Sequence, residues 1–241
     1  MTNKSGKFYG IGVGVGDKEN ITLKAVKRLE KVDVVILPEA KTGEGSTAFE
    51  IVKDYVKEGI EQIFMEFPMV RDLEARKIFR KNNADIINRL LSEGKNVAFL
   101  TIGDPMTYST YTYVLEHILP ETEVETIAGI NSYNSMAARL NIPLMVGDED
   151  LKVISVNKKT DIQKEIENND NIVFMKISRD LDKLKQAIIN TGNTENIIII
   201  SNCGKDNEEI YTDIEKLDSV HYFSTLILKK KGISQWKRFI L

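Results

Sequence analysis

The sequence predicts an α/β protein of two domains, with a mostly parallel sheet in the N-terminal part and a mixed sheet in the C-terminal part. Three observations carry this expectation. Short apolar, β-branched runs alternate with amphipathic stretches of helical period, which implies βαβ units and parallel pairing. Several runs stop abruptly in glycine-containing turns, as at Leu100-Thr101-Ile102-Gly103-Asp104-Pro105. Strand-like segments gather toward the end of the chain, which points to antiparallel neighbours there. A length of 241 residues suits one large domain or two of about 100–150 residues each.

Taken in order, Phe8 to Val13 reads as a strand running into a glycine loop. Leu23 to Val32 carries a helical stripe of Leu23, Val26 and Leu29. Asp33 to Pro38 is a short buried strand stopped by proline, and Thr47 to Glu58 is an amphipathic helix ended by Gly59. Gln62 to Met65 is a weaker strand. Val70 to Glu93 is a long helix ended by Gly94, and Val97 to Thr101 is a strong strand. A helix is then expected from Met106 or Thr107 to about Ile118. Pro120 and the polar residues after it mark the expected boundary between domains 1–120 and 121–241. Beyond it, Glu123 to Ile127 is a strand and Asn131 to Leu140 a helix. Lys152 to Val156, Asn171 to Lys176 and Asn196 to Ser201 read as strands, with helical patterns between the last two. Ser219 to Lys229 forms a final strand. No repeat or low-complexity segment is visible.

Composition narrows the function. The chain is 42% hydrophobic and 29% charged, as soluble globular proteins are. No apolar run approaches the ~20 residues of a membrane span, and the first residues show no apolar signal core, so a cytoplasmic protein without a membrane partner is expected. A single cysteine, Cys203, rules out an internal disulfide and fits a reducing compartment. The net charge of −3 argues against nucleic acid as a partner. The basic cluster Arg71, Arg76, Lys77, Arg80 and Lys81 has two readings, a solvated helix face or a local attractor for an acidic ligand. His117 and His221 have no His or Cys at ligand spacing, so no metal centre is expected.

Four segments are candidate ligand sites. In Gly10-Ile11-Gly12-Val13-Gly14-Val15-Gly16-Asp17 the glycines follow a strand and precede a helix, but Val15 and Asp17 stand where a dinucleotide fingerprint needs glycine. The usual phosphate cradle is therefore absent, although glycines still permit close backbone approach. At Gly103-Asp104-Pro105, Asp104 is either the cap of a following helix or a ligand group at the carboxyl end of a strand, where open α/β sheets bind small molecules. Ala128-Gly129-Ile130-Asn131-Ser132 is a second strand-to-helix turn whose N–H groups suit a carboxylate. Lying just past the expected boundary, it would face the first corner across an interdomain cleft, a common ligand site. In Ile172-Val173-Phe174-Met175-Lys176, Met175 reads as packing, and Lys176 is either an exposed strand end or a ligand residue. No nucleophile with an attendant base appears: there is no Gly-x-Ser-x-Gly elbow, and Cys203 has no local histidine. That absence favours chemistry in which a cofactor delivers the reactive group.

These segments, in this order, resemble the tetrapyrrole methylase family. The resemblance rests on Tyr9 to Asp17 with Thr22-Leu23-Lys24-Ala25, on Leu100 to Pro105, and on Ala128 to Ser132 leading to Leu140-Asn141-Ile142-Pro143-Leu144. Pro105 to Tyr111, Phe174-Met175-Lys176, Asn202-Cys203-Gly204 and Tyr222 to Leu226 are most similar to the branch acting in cobalamin synthesis. Val15 and Ala128 depart from the family, which usually has proline at both positions; this softens two turns without removing a chemical group. The resemblance implies a two-domain α/β fold with its active site in the interdomain cleft, and a homodimer. It implies S-adenosylmethionine as cofactor, S-adenosylhomocysteine as product, and a reduced tetrapyrrole as substrate. The expected reaction is methylation of C20 in precorrin-2 or cobalt-factor II. Cofactor contacts carry over to Gly103, Asp104, Thr107, Asn131, Ser132, Met175 and Thr212. Gly12, Gly14, Gly16 and Asp17 are expected beside the tetrapyrrole. Asp104 is also the candidate for removing a proton from C20, and Arg71, Arg76, Arg80, Arg139 and Arg179 are candidates for the substrate carboxylates. Two rival readings stay open: methylation of a protein or RNA, and a non-catalytic sensor of a nucleoside-like ligand.

Overall fold

The computed structural model describes residues 5–39, 45–68 and 72–237. The chain divides into two compact units that meet between Asn131 and Ser132. In the first unit, β1 (Phe8–Gly12), β2 (Val34–Glu39), β3 (Glu61–Glu66), β4 (Val97–Thr101) and β5 (Val124–Ile127) form one sheet in the order β3-β2-β4-β1-β5. Every pair in it is parallel. The central strands β1 and β4 are buried at every position, as a sheet covered on both faces requires. One face is covered by α1 (Leu23–Leu29) and α2 (Thr47–Val52), whose Ala25, Leu29, Ala48 and Ile51 pack on Ile11, Val35 and Leu100. The other is covered by α3 (Leu73–Ser92) and α4 (Tyr111–Leu115), through Ala84, Ile87, Leu91, Tyr111 and Val114 on Phe8, Ile36 and Phe99.

The second unit holds a mixed sheet of β6 (Leu151–Ser155), β7 (Asn171–Met175), β8 (Ile197–Ser201), β9 (Glu209–Tyr211) and β10 (Ser224–Lys229) in the order β6-β7-β10-β8-β9. β6 and β7 are parallel, while β10 runs antiparallel to both its neighbours. α6 (Ile162–Asn168) and α7 (Leu181–Asn190) pack on one face. Met136 and Leu140 of α5 (Ser132–Leu140) pack on the other, near Trp236 of α8 (Ser234–Lys237).

Several expectations are corrected. The division falls after β5, not after Pro120, because Phe8 to Ile11 of β1 pair with Val124 to Ile127. Leu23 is 78% exposed, so α1 buries Ala25 and Leu29, one helical turn apart, instead of the stripe that began at Leu23. The helix expected from Met106 is a turn followed by the five-residue α4. The helix expected from Thr47 to Glu58 stops at Val52. The last strand starts at Ser224, and α6 and β9 were not anticipated. The start expected at Val70, like Arg71, lies outside the described residues.

Candidate cofactor and substrate site

Parallel pairing puts the carboxyl ends of β4, β1 and β5 side by side, and the turns that leave them are joined. Val13 N–H donates to the Thr101 carbonyl at 3.0 Å, and Gly103 N–H donates to the Gly14 carbonyl at 2.7 Å. Gly14 and Gly103 have φ of 76° and 75°, a left-handed conformation that glycine adopts without a steric cost. Asp104 completes the join. One carboxylate oxygen accepts the Gly129 N–H at 3.1 Å, and the other accepts the Met106 N–H at 2.9 Å. The hydroxyl of Thr107 donates to that second oxygen at 3.4 Å.

Asp104 is therefore not the cap of an α-helix. It closes a tight side-chain turn over Pro105 and reaches across to the turn after β5. That turn does not face the first corner from another domain: it belongs to the same sheet edge. Cβ atoms have no room here. One on Gly12 would lie 2.6 Å from the Gly103 oxygen and the Gly129 nitrogen, and one on Gly129 would lie 2.0 Å from the Gly103 oxygen. Gly10 serves packing instead, since a Cβ there would meet the Tyr111 ring at 2.3 Å. The Tyr111 hydroxyl shares a 2.8 Å hydrogen bond with Thr126 on β5, and burial raises its pKa.

The remaining first-unit candidates lie beside this join. Gly16 is half-buried. Asp17 is exposed, and its carboxylate accepts the N–H of Glu19 at 2.9 Å and the side-chain amide of Asn20 at 3.1 Å, capping a short 3-10 turn at Lys18–Asn20. Ser109 was missed by sequence reasoning. Its hydroxyl shares a 3.1 Å hydrogen bond with Thr101 at the end of β4 and accepts the Tyr111 N–H, which starts α4. Tyr108, just before it, is exposed and left-handed with φ of 51°. The serine before an apolar stretch was the available signal.

In the second unit, Ser132 opens α5 and its hydroxyl shares a 3.1 Å hydrogen bond with Thr225 on β10. Thr225 stands opposite Met175, the half-buried last residue of β7. Ser132, Thr225 and Met175 are thus brought together, and Thr225 was not anticipated. Lys176 is not an exposed strand end: it is half-buried with φ of 57°, and burial, then nearby Arg179, lowers its pKa. Thr212 is exposed and follows Tyr211, which pairs with Ile199 and so sits back along β8 from the Ser201 end. Ser135, one turn into α5, has a buried hydroxyl without a hydrogen-bond partner, and so does the Asn202 side-chain oxygen at the end of β8. An unsatisfied buried hydroxyl or amide oxygen is a group that a polar ligand can pair with. Burial pushes the Cys203 thiol up to about 12, so it is no nucleophile. Among the described residues no group of acidic, His or Cys side chains is arranged to hold a metal ion. Among them, too, no helix is long and apolar enough to cross a membrane.

Comparison with known proteins matches residues 7–218 to the family model of tetrapyrrole (corrin/porphyrin) methylases. A relative from Methanocaldococcus jannaschii, named probable cobalt-precorrin-2 C(20)-methyltransferase, is 40% identical over 233 residues, covering 93% of this chain and 96% of its own. The cobalt-precorrin-2 C(20)-methyltransferase of Salmonella typhimurium is 28% identical, covering 97% and 98%. A uroporphyrin-III C-methyl transferase from Thermus thermophilus, solved in complex with S-adenosylhomocysteine, shares the fold with a TM-score of 0.69. It is 18% identical, and the match covers 93% of this chain and 92% of that one.

Proposed function

The chain belongs to the tetrapyrrole (corrin/porphyrin) methylase family, and from that premise we propose that it methylates C20 of precorrin-2 or cobalt-factor II in cobalamin synthesis, using S-adenosylmethionine. The observation that carries the reading is the join of three strand-end turns around Asp104. It builds a rigid, side-chain-poor floor at the carboxyl edge of a parallel sheet, where α/β proteins bind small ligands.

The bound cofactor supplies an electrophilic sulfonium methyl group for the electron-rich meso carbon of the macrocycle. The residues of this chain hold and align. Gly103, Asp104 and Thr107 at the first corner, Asn131 and Ser132 at the second, and Met175 and Thr212 are the proposed cofactor contacts. The backbone of Gly12, Gly14 and Gly16, with Asp17, is the proposed neighbour of the macrocycle. Alignment of two reactants is worth roughly 7–11 kcal/mol of barrier, so no protein nucleophile is needed. Both Asp104 oxygens already accept backbone N–H groups. This supports a holding role for Asp104 over removal of the C20 proton.

The names of the two relatives favour the cobalt-loaded substrate. A homodimer in a reducing cytoplasm completes the reading, and the single cysteine supports that compartment. The test incubates the protein and S-adenosylmethionine with metal-free and cobalt-loaded precorrin-2 side by side. The expected result is a mass gain of one methyl group on at least one of them. In Asp104→Ala, affinity for S-adenosylhomocysteine measured by calorimetry is expected to fall about tenfold, or ~1.4 kcal/mol. No methylation of either substrate, with cofactor binding intact, would leave a ligand-binding module instead of an enzyme.

A further inference from the structure

We infer that Arg76 and Arg80, on one face of α3, hold carboxylate side chains of the macrocyclic substrate. This rests on the tetrapyrrole reading above and extends it by naming the cations that recognise the substrate's charged rim. α3 follows β3, and in a parallel sheet the first turns of such a helix stand at the carboxyl edge. The Gly12–Gly14, Gly103–Asp104 and Gly129 turns leave the sheet at that same edge. Arg76 and Arg80 are four residues apart and so share a helix face.

Several other cations among the described residues are committed. Arg28 is bound to Glu125 at 2.9 Å, Arg139 to Glu208 at 3.0 Å, and Lys77 to Glu74 at 2.8 Å on α3 itself. Among the described residues Arg76 and Arg80 have no such carboxylate. The Arg76 Nε is buried without any hydrogen-bond partner. A buried donor of a charged group left unsatisfied is costly, and a carboxylate paired with the same half-buried guanidinium offsets that cost. The Arg80 guanidinium lies 3.4 Å from the ring centroid of Tyr113 on α4. Stacking fixes its plane and leaves its edge N–H groups free for two-point contact with a carboxylate. Phe79 on α3, Tyr113 on α4 and Tyr108 in the turn before α4 are exposed aromatic side chains. Cations beside exposed aromatic rings match a flat apolar macrocycle with an anionic rim. The protein's net charge of −3 gives no general attraction for such a ligand, so recognition has to be local.

The test compares wild type with Arg76→Gln, Arg80→Gln, the double variant, Arg80→Lys and Lys77→Gln. Three readouts are taken: kcat and KM for the precorrin-2 substrate at two salt concentrations, calorimetric affinity for S-adenosylhomocysteine, and fluorescence-quenching affinity for a stable polycarboxylate porphyrin. The double variant is expected to raise KM and weaken porphyrin binding about tenfold or more, with cofactor affinity unchanged and the salt dependence of KM reduced. Arg80→Lys should fall between, because it keeps the charge and loses the planar fork. Lys77→Gln should match wild type. Porphyrin binding within twofold of wild type in the double variant would overturn the assignment, as would an equal loss of cofactor affinity. Arginine-dependent porphyrin binding without methylation would support this site while removing the proposed reaction.

Discussion

Gly129 shows how tightly the joined corners are built. A Cβ there would lie 2.0 Å from the Gly103 carbonyl oxygen and 2.7 Å from the Gly12 carbonyl carbon, both backbone atoms that no rotamer change can move. Gly103 is different: its φ of 75° strains any other residue, yet a Cβ would have no neighbour closer than 3.9 Å. Gly103→Ala is therefore expected to cost about 1 kcal/mol of backbone strain. Gly129→Ala must push two turns apart and break the bond to Asp104, with an expected cost of about 3 kcal/mol or more. Urea denaturation of the two variants checks the order, and equal losses would mean that the turns yield easily. The same residues mark the limit of sequence reading at this scale. The glycines and Asp104 stood out from their strand-to-turn context. The Asp104–Gly129 bond did not, because it spans 25 residues and depends on β5 lying next to β1. Gly10, in the same glycine series, turned out to make room for Tyr111.

Between elements, Glu125 is the main electrostatic tie of the first unit. It sits on the edge strand β5 and meets Arg28 at 2.9 and 3.0 Å, Lys24 at 2.9 Å and Lys7 at 3.2 Å, so it holds α1 and the start of β1 to β5. Those cations, Arg28 foremost, lower its pKa from 4.5 to about 2. A carboxylate with a depressed folded-state pKa stabilises fully above its unfolded value, and that contribution is lost as pH falls through the folded one. The window is thus pH 4.5 down to about 2. With solvent screening, the tie is worth about 2 kcal/mol. Glu125→Gln should destabilise the protein by that amount at pH 7 and flatten its loss of stability across the window; unfolding curves from pH 2 to 7 check both. Elements with strong local signals were legible in the sequence: the Val97–Thr101 and Ile197–Ser201 runs became fully buried central strands. Those without were not. β9 has three residues at a sheet edge, and the stretch from Met106 to Thr110 folds around Asp104 and Ser109 instead of continuing a helical period. The boundary was misplaced because Pro120 interrupts the sequence without interrupting the sheet.

At the scale of the whole molecule, the described strands pair only within their own sheets, and each unit has its own apolar core. Each unit therefore reports ligand binding through its own backbone amides, and this separates the proposed contacts. A ligand that binds only the native state stabilises it by RT ln(1 + [L]/Kd), about 2.7 kcal/mol at a hundredfold excess over Kd. Local opening at the contact residues is suppressed by up to the same amount, which slows amide exchange there about a hundredfold. If S-adenosylhomocysteine contacts Gly103, Asp104 and Thr107, protection should rise through the turns around Gly103 and Gly129. If it also contacts Ser132, Met175 and Thr212, protection should rise at the start of α5, at the end of β7 and after β9. Hydrogen exchange with and without saturating S-adenosylhomocysteine gives both answers in one measurement. Thr212 is the most exposed member of the set to this result, because it lies back along β8 from the Ser201 end and away from the Ser132–Thr225–Met175 group. Protection at Met175 without protection at Thr212 would remove Thr212 from the contacts and keep the rest. Protection confined to residues before Ser132 would remove every second-unit contact and leave the Asp104 join as the whole site.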